Sequence, residues 1–225
     1  MKNIFYSVAM LLLVMCSCTS KTEVSSPNGN IMWSLNLDEK GAMTYQVSVN
    51  NAPFINASAL GFEEKSGLNL ADGFQLEGTT FDSQDETWTQ PWGENKSIRS
   101  HYNEMAVNWK NEAGVKLTVR VRVFDDGLGF RYEYDTPADS LLLMDEYTSF
   151  NIAEDGTSWS IPAEFNTYEL LYRTLPLSEM PDANTPMTFK TKSGVYASIH
   201  EAALTDFPEM CLKNVGGTSL KSWLA

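Results

Sequence analysis

The stretch VKLTVRVRVFDDGLGFRYEY, residues 115–134, decides the fold of this chain. From Val115 to Val123 every second residue is apolar and the residues between are basic or polar, so an extended chain would have one apolar face. The next residues, Asp125-Asp126-Gly127, are typical of a turn. The alternation then resumes at Leu128, Phe130, Tyr132 and Tyr134. This pattern predicts an antiparallel hairpin with one buried face.

The same period of two recurs along most of the chain. Residues 31–37 and 43–49 alternate on either side of a turn at Asp38-Glu39-Lys40-Gly41. Further short strands are predicted around 98–109, 141–150, 194–200 and 218–224. After the N-terminal apolar run, no window of about 11 residues or more has the 3.6-residue period of an amphipathic helix. Many short strands joined by turns predict one all-β domain, either a sandwich or a barrel.

Composition limits the partners of the domain. The chain has 225 residues, of which 43% are hydrophobic, and this is enough for one sizeable core. Its formal net charge is −13, and so acidic a surface repels phosphate backbones, which argues against nucleic acid as a partner. No Walker loop, HExxH or GxSxG motif is present, so the sequence carries no nucleotide-binding or metallohydrolase signature.

The first residues have the features of a secretory signal. Lys2 precedes an apolar run that ends at Met15, which is too short to span a bilayer comfortably. Ser17 before Cys18 resembles the cleavage site of a bacterial lipoprotein, although an ordinary secretory peptide with an incidental cysteine pair is the alternative. The prediction is a signal peptide over 1–17, lipidation of Cys18, a polar tether over 18–29 and a folded domain over 30–225. The expected location is the cell envelope, as a periplasmic or outer-membrane lipoprotein that contacts the membrane through its lipid alone.

Three segments of the predicted domain carry side chains suited to binding or catalysis. Residues 86–104 mix tryptophans with amides and carboxylates, as sugar recognition requires, but a tryptophan-anchored loop packed on a sheet is commoner. Residues 159–169 supply oxygen atoms after a strand-breaking proline, which suits either calcium or solvent. His200 and Glu201 could form an acid/base pair or simply end a strand. Cys211, between Met210 and Leu212, is predicted to be a core or half-buried residue and not a nucleophile.

Four stretches together resemble the N-terminal domain of glycoside hydrolase family 97, whose members include α-glucosidases and α-galactosidases. The resemblance runs in order from about residue 23 to the end of the chain, and the DGLGFRYE and HEAAL portions are the most distinctive. The stretches are ETWTQPWGENKSIRSHYNEMAV (86–107), RVFDDGLGFRYEY (122–134), WSIPAEFNTYE (159–169) and GVYASIHEAAL (194–204).

This resemblance implies an antiparallel β-super-sandwich similar to the galactose mutarotase fold, placed before a catalytic (β/α)8 barrel. It implies a calcium ion whose ligands come mostly from the barrel, with one glutamate from the N-terminal domain. The position of that glutamate matches Glu169. The segment that contains Asn184 and Thr185 matches a loop at the edge of the substrate pocket, which makes these two residues candidates for substrate binding.

No residue pair here matches the catalytic carboxylates of the family, and glycoside hydrolysis needs two of them at a defined separation. The chain ends before the expected barrel, so it is predicted to be an accessory domain of an exo-acting α-glycosidase that is inert alone. Its partners would be that barrel and an α-linked oligosaccharide. One alternative is a free-standing lipoprotein that binds carbohydrate at the cell surface without catalysis. Another is an aldose epimerase that uses His101, His200 and Glu201.

Overall fold

The computed structural model describes residues 21–205 and 207–225, so the predicted signal peptide and the lipidation of Cys18 lie outside the described residues. Within them the chain forms β-strands and one short 3-10 helix, Leu177–Glu179. No helix in this part is long and apolar enough to cross a membrane. The strands are β1 Glu23–Ser25, β2 Ile31–Leu37, β3 Met43–Val49, β4 Ala52–Ala59, β5 Phe62–Glu64, β6 Gln75–Thr89, β7 Ser97–Lys110, β8 Lys116–Phe124, β9 Leu128–Asp135, β10 Leu143–Glu146, β11 Ser149–Ile152, β12 Gly156–Ser160, β13 Arg173–Pro176, β14 Ala183–Asn184, β15 Met187–Thr191, β16 Tyr196–Ile199, β17 Met210–Gly216 and β18 Ser219–Leu224.

The hairpin predicted from residues 115–134 is confirmed as β8 and β9. The N–H of Phe124 donates to the carbonyl of Gly127 at 2.8 Å and closes the turn between the two strands. The alternating apolar side chains of β8 are buried, and its basic residues lie on the opposite face. The period of two therefore placed the correct face of this hairpin in the core.

The strands form three larger sheets and one two-stranded ribbon, and the strand pairs are antiparallel. The largest sheet has eight strands in the order β1-β2-β3-β4-β11-β18-β17-β14. The second has the order β6-β7-β8-β9, the third has the order β13-β12-β15-β16, and β10 pairs with β5. The predicted all-β fold is confirmed, including its antiparallel pairing.

Aromatic side chains join the sheets into a sandwich. Trp33 of β2 stacks on Tyr45 of β3 with ring centroids 4.3 Å apart, and it also meets Phe130 of β9 at 5.0 Å. This contact packs the eight-stranded sheet against the sheet that contains β8 and β9. Phe54 of β4 stacks on Phe189 of β15 at 6.0 Å, which brings the third sheet onto the same core. The hydrophobic core is therefore continuous across all three sheets.

Strand β1 lies inside the segment predicted as a tether. Residues 23–25 form β1, which pairs with β2, and Val24 is buried in the core. The carbonyl of Ser25 also accepts a hydrogen bond from the side chain of Asn103 at 2.9 Å. The polar composition of residues 19–29 concealed this strand because a three-residue edge strand needs only one buried apolar side chain.

Strands β6 and β7 extend beyond the rest of their sheet. The last pair that β7 makes with β8 is Tyr102 with Phe124, whereas β6 and β7 remain paired to Thr89 and Ser97. Residues 85–101 therefore form a two-stranded projection, called the arm below. Trp88 and Trp92, at the end of the arm, are 47% and 84% exposed. The interpretation of this segment as a tryptophan-anchored loop packed on a sheet is therefore wrong.

Candidate functional site

The segment 161–172, between β12 and β13, contains the predicted calcium ligand and is called the Glu169 loop below. Its first residues are fixed to β14 through the backbone. The N–H of Ala163 donates to the carbonyl of Asp182 at 2.9 Å, and the N–H of Asn184 donates to the carbonyl of Ile161 at 3.1 Å. The loop begins where it does because Pro162 has no N–H to continue the ladder of β12.

The side chain of Asn184 forms hydrogen bonds with the backbone of the next part of this loop. This side chain is fully buried, and its Oδ1 accepts the backbone N–H of Glu164 at 2.9 Å. Its Nδ2 faces the carbonyls of Glu164 and Thr167, both at 3.4 Å. A buried amide with these partners fixes the backbone of the loop, since leaving them unpaired would cost about 1–3 kcal/mol per group. Sequence reasoning did not predict this positioning role.

Thr185 is also buried, and its hydroxyl donates to the carbonyl of Met210 at 2.9 Å. The structure thus places Asn184 and Thr185 beneath the Glu169 loop, with their side chains bonded to the protein. The sequence-based assignment of both residues to substrate binding stays a prediction.

Glu169 lies at an exposed position near the end of the same loop. Its backbone N–H donates to the hydroxyl of Thr167 at 3.1 Å, while its carboxylate has no hydrogen bond or ion pair within the described residues. Glu164 and Asn166, the other oxygen-bearing residues of the predicted site, bind each other, because Oε1 of Glu164 accepts from the side-chain amide at 3.0 Å. The loop therefore presents one free carboxylate to solvent.

That carboxylate alone does not make a calcium site. Within residues 21–205 and 207–225, no group of three or more acidic, histidine or cysteine side chains is arranged to hold a metal ion. Calcium takes six to eight oxygen ligands, and one carboxylate provides at most two of them. The donor type of Glu169 fits calcium, but its neighbours in this chain do not complete a coordination shell.

Apolar side chains surround Glu169 at the surface. Leu171 is 89% exposed, and Tyr168, Leu170 and Tyr172 are exposed as well. The phenol of Tyr168 donates to the carboxylate of Glu209, which ties this part of the loop to the residues before β17. A run of exposed apolar residues on an ordered loop is typical of a surface that packs against another structure. The signal in the sequence was the cluster Leu170-Leu171-Tyr172 outside any alternating strand, and it was not recognised.

Cys211 is buried beside this loop, where its thiol donates to Oδ1 of Asn184 at 3.0 Å. Burial raises the pKa of the thiol to about 11, so the sulfur stays protonated at neutral pH. The prediction of a core or half-buried residue is confirmed, whereas the absence of a nucleophilic role stays a prediction.

Within the described part of the chain, no side-chain to side-chain hydrogen bond joins His101, His200 and Glu201, the residues that an epimerase would use. His101 lies in the arm, opposite Asp85, whereas His200 and Glu201 follow β16 in another sheet. Nδ1 of His200 lies 2.7 Å from the backbone carbonyl of Glu201, and the carboxylate of Glu201 accepts the N–H of Met210 at 3.0 Å. Glu201 therefore stabilises the segment before β17, and the interpretation as a polar strand end describes this pair.

Comparison with known proteins identifies the family. The model described as "Glycosyl-hydrolase 97 N-terminal" matches residues 24–223. The chain is 22% identical to the "Retaining alpha-galactosidase" of Bacteroides thetaiotaomicron, over 93% of this chain and 33% of that protein. It is 28% identical to the "Probable retaining alpha-galactosidase" of Streptomyces bingchenggensis, over 73% of this chain and 26% of that protein.

Solved structures show the same relationship. A glycoside hydrolase family 97 enzyme from Pseudoalteromonas sp. strain K8, in complex with acarbose, matches with a TM-score of 0.84 and 36% identity. The match covers 90% of this chain and 31% of that enzyme. A beta-arabinopyranosidase matches with a TM-score of 0.79 at 21% identity, which supports the fold alone. This chain spans between 26% and 35% of the length of these relatives, and it belongs to glycoside hydrolase family 97 as a domain of the N-terminal type.

Proposed function

We propose that this chain is the N-terminal accessory domain of a calcium-dependent, exo-acting α-glycosidase, in which it forms one wall of the sugar pocket and supplies Glu169 to the metal. The observation that carries the proposal is the exposed position of the Glu169 carboxylate on the Glu169 loop. This carboxylate is free and exposed on a loop whose backbone is held by the buried side chain of Asn184. A free carboxylate on a fixed loop is what a metal shared between two domains requires.

The remaining calcium ligands would come from a catalytic domain that is not part of this chain. Barrel glutamates would complete the six to eight oxygens, and Glu169 would contribute one of the negative charges that face the ion. When bound, calcium would polarise or orient groups at the reacting sugar. The chain's own part is to hold Glu169 at the domain boundary, so the chain alone would not hydrolyse a glycoside.

The exposed apolar side chains around Glu169 support the same arrangement. Leu171 and Tyr172 would pack against the catalytic domain, since a surface of this kind is costly to leave in water. Asn184 and Thr185 lie directly beneath this boundary, and we place them at the edge of the sugar pocket. Asn184 would act there mainly by fixing the loop.

The substrate class follows from the relatives. Enzymes of the family from Pseudoalteromonas sp. strain K8 are known in complex with panose and with acarbose, and the curated relatives are described as retaining α-galactosidases. We therefore infer an α-linked oligosaccharide as the substrate of the complete enzyme.

We also propose that the protein is anchored in the cell envelope through a lipid on Cys18. The sequence around Ser17 and Cys18 is the support for this proposal. Labelled fatty acid should enter the wild-type chain, and the Cys18→Ala variant should take up none and leave the membrane fraction. Equal labelling of the two proteins would contradict the anchor.

A graft tests the accessory role. In this experiment the N-terminal domain of the Pseudoalteromonas enzyme, to which this chain is 36% identical, is exchanged for this chain. The product is called the grafted enzyme below. We expect the grafted enzyme to hydrolyse panose and to lose activity when calcium is chelated, whereas this chain alone should release no glucose above the buffer control.

The catalytic remainder of the Pseudoalteromonas enzyme without any N-terminal domain is the matched control, and it should be inactive. Calcium-dependent activity of that remainder at the level of the grafted enzyme would show that no accessory domain is needed. Hydrolysis by this chain alone would also contradict the proposal. A grafted enzyme that is folded but inactive would favour the alternative of a free-standing binding protein.

A further inference from the structure

An ion pair joins the two strands of the arm formed by residues 85–101. Beyond the pair of Tyr102 with Phe124 the arm has only two strands, and a two-stranded ribbon is marginally stable in water. Asp85 and Arg99, one on each strand, form a bidentate ion pair with both N···O distances at 2.7 Å. This cross-strand pair fixes the geometry of the arm, although both side chains are about half exposed and add little to stability.

The turn at the end of the arm is ordered by one side chain. The backbone N–H of Gln90 donates to the carbonyl of Lys96 at 3.1 Å, and its Nε2 donates to the carbonyl of Asn95 at 2.8 Å. Gly93 has a φ of +113°, and a Cβ at this position would lie 2.6 Å from Nε2 of Gln90. The glycine thus leaves room for the amide that closes the turn.

This ordered turn presents an indole to solvent. Trp92 is 84% exposed, and Trp88 lies on the adjoining strand at 47% exposure. Pro91 precedes Trp92 and Ile98 pairs with Trp88, but the other neighbouring side chains are amides, hydroxyls and charged groups, with Glu94 in the same turn. A protein interface of ordinary size has a core with few charged residues. This surface has no such uncharged core. A pyranose instead combines an apolar face of C–H groups with a rim of hydroxyls, and it carries no charge that a protein of net charge −13 would repel.

We propose that the end of the arm is a binding site for α-linked oligosaccharides, in which a sugar ring stacks on Trp92. Glu94 and Gln90 belong to the same turn, and their side-chain oxygens would bind hydroxyl groups at the edge of the sugar. The site lies on a different sheet from the Glu169 loop. The choice of an α-linked sugar rests on the proposed function, but binding at the arm requires neither calcium nor a catalytic domain.

Titration of this chain with panose, observed through the indole N–H signals in an NMR spectrum, tests the site. Single tryptophan variants assign the signals. We expect the Trp92 signal to shift and to saturate with a Kd in the millimolar range, while the buried Trp33 and Trp109 signals stay in place. Trp92→Ala should weaken binding about tenfold without unfolding the protein, because the indole it removes is exposed.

Phe81→Ala is the matched control, since Phe81 is also an exposed aromatic residue but lies in the part of β6 outside the arm. This variant should bind panose as the wild type does. The proposal is wrong if no indole signal shifts at about 50 mM panose, or if Trp92→Ala binds with unchanged affinity. A change of oligomeric state in Trp92→Ala, without any sugar binding by the wild type, would assign the arm to protein contacts. These readouts use no metal and no catalysis, so they are independent of the test of the proposed function.

Discussion

Glu169→Gln should lower the calcium affinity of the grafted enzyme by at least about 100-fold, because loss of a group that only supports a metal ligand already costs 10- to 100-fold. The substitution keeps the size of the side chain and one carbonyl oxygen, but it removes the negative charge that would face the divalent ion. Hydrolysis of panose should fall in parallel at micromolar calcium. Initial rates measured across a calcium series give both quantities.

Glu164→Gln is the matched control for this prediction. Glu164 lies in the same loop, and its Oε1 accepts hydrogen bonds from the backbone and side chain of Asn166. A glutamine oxygen can accept the same bonds, so this variant should keep the calcium dependence of the parent. Equal effects of the two substitutions would mean that a general change in charge, and not ligation by Glu169, determines calcium affinity.

Trp33→Ala should lower the free energy of unfolding of this chain by about 3–5 kcal/mol, the range for large-to-small substitutions of buried aromatic residues. Trp33 is 0% exposed and joins two sheets through Tyr45 and Phe130, so its loss leaves a cavity at the centre of the sandwich. Domains of this kind have a total stability of about 5–15 kcal/mol, so the variant should be near the limit of folding. Urea unfolding followed by circular dichroism measures the change.

Two further substitutions test the physical reason for this loss. Trp88→Ala removes an exposed indole from the arm and should change the free energy of unfolding by about 0.5 kcal/mol or less. Trp33→Phe keeps an aromatic ring in the core, and it removes the indole N–H, which has no hydrogen-bond partner within the described residues. It should therefore cost clearly less than Trp33→Ala. Equal losses for Trp33→Ala and Trp88→Ala would show that the contact between the two sheets does not determine stability.

The periodicity of the sequence predicted the parts of the fold in which one face of a strand is buried. The alternation in β8, from Leu117 to Val123, identified both the strand and its buried face. The turn residues that follow it predicted the hairpin with β9. Periodicity could not predict β1, because this strand has three residues and one buried apolar side chain, Val24.

The exposure of the arm was not visible in the sequence either. Residues 75–89 form a strand with few buried side chains, so the expected contrast between a core face and a solvent face is absent. Tryptophan is usually buried, at least in part, and that tendency favoured the incorrect interpretation of a packed loop. Only the pairing of β7 with β8, which stops at Tyr102, shows that the end of the hairpin projects into solvent.

For the candidate site, resemblance to the family selected Glu169, and the structure adds how the residue is held. The role of Asn184 depends on a hydrogen bond to Glu164, 20 residues away, and on burial beneath the loop. An isolated asparagine in a sequence gives no sign of such a contact. The exposed apolar residues beside Glu169 were equally hard to recognise, because outside a regular element a short apolar run does not indicate whether it faces the core or a partner.

Calorimetric titration with calcium of this chain, of the grafted enzyme and of its Glu169→Gln variant tests the central claim most directly. The claim is that Glu169 is one ligand of a calcium site completed by another domain. The account predicts weak binding by this chain alone, with a Kd in the millimolar range or above, tight binding by the grafted enzyme and a large loss in the variant. Tight binding by this chain alone, or equal affinity of the grafted enzyme and its variant, would contradict it.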